Sequence, residues 1–268
     1  MPRTYAEWII KPGAEQQILD RVACNTISFD RSECCDLPDD DTIVRPIKPS
    51  KEFLDLQEKI IAGDTIKVNG FEIDCSTIAA KTQKLLQLSS GFLYYKDSNE
   101  KKVYRLKENS KLEALMDLLE DTKSKVIVVH KFTEEALLIE EACKKNKIKF
   151  VSIRGDIKDD TREIKKKFTN DKSIKLMIIH PTCASEGFDG TASNVMVFFA
   201  PISSPLIRKQ CEGRIMRENQ TKKCLFLDLE LEQSADALVS KNRAGRKKLV
   251  DTFMEYIQNY KSRRVLDL

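Results

Sequence analysis

Five short and almost wholly apolar runs constrain this chain more than any other feature. They are Val126–His130 (VIVVH), Lys149–Ile153 (KFVSI), Lys175–Ile179 (KLMII), Asn194–Phe199 (NVMVFF) and Cys224–Leu229 (CLFLDL). A strand with one wet face alternates apolar and polar residues. Runs as continuous as these call for strands covered on both faces, the condition of a parallel sheet between layers of helix. Helical patterns fill the gaps: Glu134–Lys145, Thr161–Phe168 and Pro205–Met216. Strand, helix and strand in regular order predict an α/β domain built on a doubly wound parallel sheet.

The first hundred residues are less regular. Ala14–Arg21 reads as a short helix and Thr26–Phe29 as a short strand. Leu37–Pro49 holds three prolines and the acidic run Asp39–Asp41, which predicts an extended connector. Phe53–Ile61 and Ser76–Ser90 read as helices, with a turn or hairpin over Ala62–Gly70. The expected domain organisation is an irregular, mostly helical segment over 1–110, the sheet domain over 111–240, and a basic amphipathic helix over 241–268. In that helix Leu249, Phe253, Tyr256, Ile257 and Tyr260 keep helical spacing among lysines and arginines. It suits a helix docked on the sheet with a solvated basic face, or one that touches nucleic acid.

Composition closes off several classes. No stretch approaches the ~20 apolar residues of a spanning helix, and MPRTYAEWIIKPG carries charges where a signal peptide needs its apolar run. None of the eight cysteines forms a CxxC pair and there are only two histidines, so zinc sites and disulfide frameworks are not expected. Reduced thiols and a cytoplasmic location are. None of the nine glycines is followed by lysine, which excludes a P-loop, and VIVVHKFTEEA lacks the glycines of a dinucleotide-binding turn. The stretch LFLDLE resembles an acidic magnesium-binding strand end. Without a P-loop to place phosphates, Asp228 and Glu230 read as an ordinary strand end.

Chemistry is expected at loops beyond the carboxyl ends of the strands. In RKQCEGRIMRENQ, steps of three and four predict Gln210, Arg214 and Arg217 on one helix face. Two guanidinium groups there make a permanently charged clamp for phosphate oxygens, or else two solvated surface arginines. The loop HPTCASEGFDG (180–190) brings Thr182 and Ser185 to a strand end. Gly187 permits close backbone approach to a phosphate chain, and Asp189 suits a ribose hydroxyl; a loop using Gly and Asp only for its turns fits too.

The order VIVVHKF, then SIRGD with Arg162 and Phe168 beyond, then HPTCASEGFDGTASNVMVFFAP, then QCEGRIMRENQ resembles the second RecA-like lobe of superfamily-two helicases. It looks most like the Swi/Snf-type DNA-dependent ATPases and particularly their bacteriophage branch, whose fifth motif reads roughly HP-x-S-A-G-x-G-L-N and sixth Q-x-x-x-R-x-x-R-x-G-Q. AAKTQKLLQLSSGFLYY followed by NSKLEALMDLLED resembles the lead into that lobe, and residues 1–50 resemble the close of a first lobe. The resemblance implies Arg217 as arginine finger, Arg214 as its companion and Gln210 as positioning both. It also implies Gly187 and Asp189 at the nucleotide, and His130, Lys131, Arg154, Thr182 and Ser185 against a nucleic-acid backbone. It implies ATP with Mg2+ whose ligands lie on a first lobe, sequence-independent contact with duplex DNA, and no hydrolysis by this half alone. Asp189 stands where the phage branch has Asn, Asn219 where it has Gly and Phe188 where it has Leu, while Glu186 matches the broader Swi/Snf pattern. A binding module without ATP chemistry, and an unrelated α/β enzyme, are the other readings of the same residues.

Overall fold

The computed structural model describes residues 11–23, 25–27, 37–63, 65–68, 70–98, 100–155, 160–185, 188–243 and 252–258. The chain forms two compact units, 1–37 and 38–268. In the first, the helix α1 spans Ala14–Ala23 and exposes Ile18, Leu19 and Val22. Of the strand expected over Thr26–Phe29, residues 26 and 27 are not in a strand and 28 and 29 lie outside the described residues.

The second unit is a six-stranded, wholly parallel sheet flanked by helices, the RecA-like α/β arrangement. Its strands are β1 (Asp40–Ile47), β6 (Val126–Val129), β7 (Phe150–Ile153), β8 (Leu176–Ile179), β9 (Val195–Phe198) and β10 (Cys224–Leu231), in the spatial order β1-β10-β9-β6-β8-β7. All four residues of β6, β8 and β9 are buried. Successive side chains take opposite faces. Val126, Val128, Leu176, Ile178, Val195 and Val197 therefore join one core, and Ile127, Val129, Met177, Ile179, Met196 and Phe198 the other.

The helices of the lobe are α4 (Ser110–Asp121), α5 (Thr133–Lys145), α6 (Thr161–Asn170), α7 (Pro181–Ser185), α8 (Pro205–Glu212) and α9 (Ala235–Arg243). Further results differ from the sequence reading. The expected connector Leu37–Pro49 contains β1, which pairs with β10 at the sheet edge; Pro46 is tolerated there because an edge strand has a side that donates to nothing. The expected helix Pro205–Met216 stops at Glu212. The segment ahead of the lobe carries α2 (Lys51–Ala62) and α3 (Ile78–Ser89). It also carries two antiparallel hairpins, β2 (Thr65–Val68) with β3 (Phe71–Asp74) and β4 (Phe92–Asp97) with β5 (Glu100–Arg105). The basic helix expected over 241–268 is described only at its start, in α9, and over 252–258, which is helical; the rest lies outside the described residues. Among the described residues no helix is long and apolar enough to cross a membrane.

Connections diverge at the centre of the sheet. The chain leaves β6 toward β7 and β8 on one side, and leaves β9 toward β10 on the other. The boundary between β6 and β9 is thus the crevice where an open α/β sheet receives ligands, and the segment His130–Phe132 opens from it.

Candidate functional site

Two return segments lie side by side. Residues 188–193 lead back to the start of β9, and residues 213–223 lead back from α8 to the start of β10. The Gly190 amide donates to the Arg214 carbonyl at 2.9 Å. A Cβ on Gly190 would stand 2.9 Å from that same oxygen, so the approach requires glycine. Gln220 braces the pair: its buried Nε2 donates to the carbonyls of Ser193 (2.9 Å) and Ile215 (3.2 Å), and its Oε1 accepts from the Lys222 amide (3.1 Å).

This packing explains the early end of α8. Gly in a helix interior costs about 1 kcal/mol, and beyond Gly213 the chain tightens into turns, with Arg214 N–H on the Cys211 carbonyl (2.9 Å) and Gln220 N–H on that of Arg217 (2.8 Å). The Arg214 carbonyl, which a longer helix would use internally, serves Gly190 instead. Gln210 therefore stands exposed on α8, while the half-buried Arg214 and the exposed Arg217 belong to the loop. The single helix face expected for these three residues is replaced by a helix and a braced loop.

Asp189 is exposed beside that loop. Its Oδ1 accepts from the Thr191 amide (2.9 Å) and hydroxyl (2.7 Å). Burial works against its charge, but the Thr191 hydroxyl and amide, with the positive field of Arg217, prevail and hold the carboxyl below its ordinary range. The structure thus brings Asp189 and Arg217 within electrostatic reach. Gly187 lies outside the described residues, as does the side chain of Ser185, whose backbone ends α7.

α8 is anchored from below. Ser204 caps it by accepting from the Ile207 amide (3.4 Å), and Pro205 occupies its first turn. The Arg208 guanidinium, buried, sits 3.5 Å over the Phe198 ring. It donates through Nη1 to Asp228 in β10 and through Nε to Glu212. Asp228 is therefore a buried partner of an arginine. Among the described residues no cluster of three or more His, Cys, Asp or Glu could hold a metal ion. Sequence reasoning missed Arg208. The signal was a charged residue three positions before Cys211, on the stripe that faces the core.

A second group gathers where the central strands end. The rings of His130, after β6, and His180, after β8, meet edge to face at 5.6 Å. His130 is buried with Nδ1 3.1 Å from the Phe132 carbonyl. His180 Nδ1 lies 2.8 Å from the Thr182 hydroxyl. Burial lowers the His180 pKa below its ordinary value, with the hydrogen bond to the Lys131 backbone acting the other way. Burial likewise lowers the Lys131 ammonium, opposed by Glu135 and Asp236. Glu135, fully buried, fixes this loop: its Oε2 accepts from the amides of Lys131 (2.6 Å) and Phe132 (3.1 Å), and its Oε1 from the Ser90 hydroxyl (2.5 Å). Nothing in the sequence singled out Glu135, whose pattern resembles any first-turn helix carboxylate. Arg154, after β7, is only 12% exposed and pairs with Glu140 at 3.4 Å. Cys211 Sγ, 3.8 Å from the Pro181 carbonyl, joins α8 to α7 and so links the two groups.

A parallel RecA-like sheet with these paired loops defines a class, and comparison with known proteins agrees with it. Residues 110–219 match the helicase conserved C-terminal domain. The ATP-dependent helicase ULS1 of Saccharomyces cerevisiae is similar at 24% identity over 158 residues, 56% of this chain and 10% of that protein. A probable ATP-dependent helicase of Plasmodium falciparum is similar at 30% over 145 residues, 53% of this chain and 7% of the relative. A bifunctional helicase and thymine dioxygenase of Trypanosoma brucei brucei is similar at 26% over 145 residues, 53% and 13% respectively. The matched region thus spans about a tenth of each relative. In fold, the crystal structure of the C-terminal part of the Fun30 ATPase domain superposes with a TM-score of 0.65 at 14% identity, covering 85% of this chain and 99% of that one.

Proposed function

We propose that this chain acts as the second lobe of an ATP-dependent DNA translocase of the Swi/Snf type, working with a first lobe that completes the nucleotide cleft. The observation that carries this reading is the braced pair of loops, in which Gly190 holds the Arg214 backbone and Arg217 stands exposed beside Asp189. An exposed guanidinium on a loop fixed by Gln220 suits a cleft that is entered from outside. ATP with Mg2+ supplies the phosphoryl group to be transferred, with the magnesium ligands on the first lobe. Arg217 would offer its donors to the charge that spreads over the phosphoryl oxygens, an interaction worth on the order of 10³–10⁵ in rate. Arg214 would hold the adjoining phosphate oxygens, and Gln210 and Gly187 would line the approach, with Asp189 at the ribose or coupling to DNA.

His130, Lys131, Thr182 and Ser185, with Arg154 behind them, would form the track for a duplex backbone, contacted without regard to sequence and weakened by salt. A reducing, cytoplasmic setting suits the five described cysteines, all free thiols; burial pushes Cys143 up to about 12 and Cys211 and Cys224 to about 11. The affinity to the bacteriophage branch rests on motif spelling, since the relatives named above come from yeast, a malaria parasite and a trypanosome.

The test is DNA-stimulated ATP hydrolysis by this chain combined with a first lobe. Arg217→Ala should abolish turnover while DNA binding survives. Turnover undiminished in that variant would remove Arg217 from its role. Hydrolysis by the chain alone would remove the need for a partner lobe.

A further inference from the structure

We propose that the outer face of the β4–β5 hairpin is a nucleic-acid backbone contact that extends the track from Lys131–Phe132 through Tyr94 to Lys96 and Lys101. The proposal rests on the reading of this lobe as a nucleic-acid-binding one. The hairpin precedes the region of the family match; its first strand opens in the stretch that leads into the lobe, and no role above falls on Lys96 or Lys101.

Register sets its faces. Phe92 pairs with Arg105, Tyr94 with Val103 and Lys96 with Lys101, so all six side chains share one side of the ribbon. The base of that side is seated against the lobe. Phe92 meets Phe132 edge to face at 5.6 Å, the Tyr94 hydroxyl accepts from the Glu134 amide at 3.3 Å, and Arg105 bridges to Glu134 and Glu141. The side is thus continuous with the loop carrying Lys131. Toward the tip it changes character. Lys101 stands 3.7 Å over the Tyr94 ring, and Lys96 is exposed directly opposite it. Lys84 reaches the Tyr94 carbonyl from α3; burial works against its charge first, Asp74 favours it and Lys101 opposes it. Among the described residues no carboxylate pairs with Lys96 or Lys101, whereas on the ribbon's other side Lys102 pairs with Asp97.

Like charges directly across a ladder destabilise it. Lys96 and Lys101, with Lys84 behind Tyr94, gather positive charge on a side that runs on to the loop carrying Lys131, and such charge suits phosphate oxygens. Contacts of that kind read no bases, which suits a sequence-independent partner. The chemistry selects a polyanion, and continuity with the Lys131 loop selects nucleic acid over an acidic protein segment.

The experiment measures anisotropy of a fluorescent duplex with the full chain between 25 and 200 mM salt, for wild type, Lys96→Glu/Lys101→Glu and Lys131→Ala. Lys96 and Lys101 are exposed, and circular dichroism verifies the fold; the milder Lys96→Ala/Lys101→Ala serves should the double glutamate misfold. The expected result is a salt slope lower by about 2 in the hairpin variant and by about 1 in Lys131→Ala. A hairpin variant that binds as wild type does, while Lys131→Ala is impaired, would overturn the hairpin contact alone. Wild type failing to bind duplex at 25 mM salt would overturn the hairpin contact and the reading beneath it. Tighter binding of labelled poly-glutamate than of duplex, lost in the hairpin variant, would reassign the surface to an acidic protein and overturn the proposal.

Discussion

Breaking the Arg208–Asp228 pair should unfold this lobe far more readily than deleting it. Asp228→Leu leaves the buried guanidinium of Arg208 with Glu212 as its remaining carboxylate, and Glu212 sits nearer the surface. Removing one member of a buried pair strands a charge and costs about 3–5 kcal/mol. Because Glu212 still accepts from Nε, about 3 kcal/mol is expected here, a drop of roughly a hundredfold in the folding equilibrium. Arg208→Met should also destabilise, since it takes the guanidinium away from buried Asp228 and from the Phe198 ring. The double variant carries no buried charge and puts two apolar side chains beside Phe198; it should return to within about 1 kcal/mol of wild type. Urea unfolding followed by circular dichroism reads all four proteins. With a slope of about 3 kcal/mol per molar, Asp228→Leu lowers the midpoint by about 1 M, Arg208→Met lowers it too, and the double restores it. Single variants that each cost under about 1 kcal/mol, or a double whose loss equals the sum of the two, would refute the reasoning.

Three further outcomes follow from the structure. Gly190→Ala should destabilise by about 1–3 kcal/mol through overpacking against the Arg214 carbonyl, and should depress turnover of the reconstituted motor. Gly155→Ala, where a Cβ meets nothing within 4 Å, should change stability by less than about 0.5 kcal/mol in the same urea titrations. Burial raises the Glu135 carboxyl above its ordinary value, only partly offset by Ser90 and the amides of Lys131 and Phe132. A raised carboxyl contributes fully below its unfolded value of about 4.3, and that contribution is lost as pH climbs through the raised one. The urea-midpoint advantage of wild type over Glu135→Gln should therefore shrink between pH 5 and pH 8, and a widening gap would contradict the assignment.

β6, β8 and β9 were legible because they are covered on both faces, and β10 nearly so, which leaves their apolar runs almost unbroken; β7, half-buried at the far edge, still keeps an apolar run, and β8, expected from Lys175 to Ile179, runs from Leu176 to Ile179. β1 escaped because it lies at the edge, where Asp40, Asp41 and Pro46 are permitted and exposed Ile43 and Val44 look like connector. The β4–β5 hairpin escaped because its turn has Ser98 at φ 49° where a glycine would have announced it. At the site, residue identities were legible but their mutual placement was not. Helical spacing put Gln210, Arg214 and Arg217 on one face, since periodicity does not register that the Arg214 carbonyl is claimed by Gly190 from another loop. Arg208 and Glu135 were invisible for a related reason: their importance lies in what they touch across the fold.

β1 and its partner β10 are about 180 residues apart in sequence. During synthesis, at 5–20 residues per second, the first strand would wait roughly 10–40 s for the ladder that completes it. Through that interval the waiting strand would carry Ile43 and Val44 unprotected. The acidic pair Asp40–Asp41 and Pro46 then serve a second purpose, discouraging that strand from annealing to another chain on the same polysome.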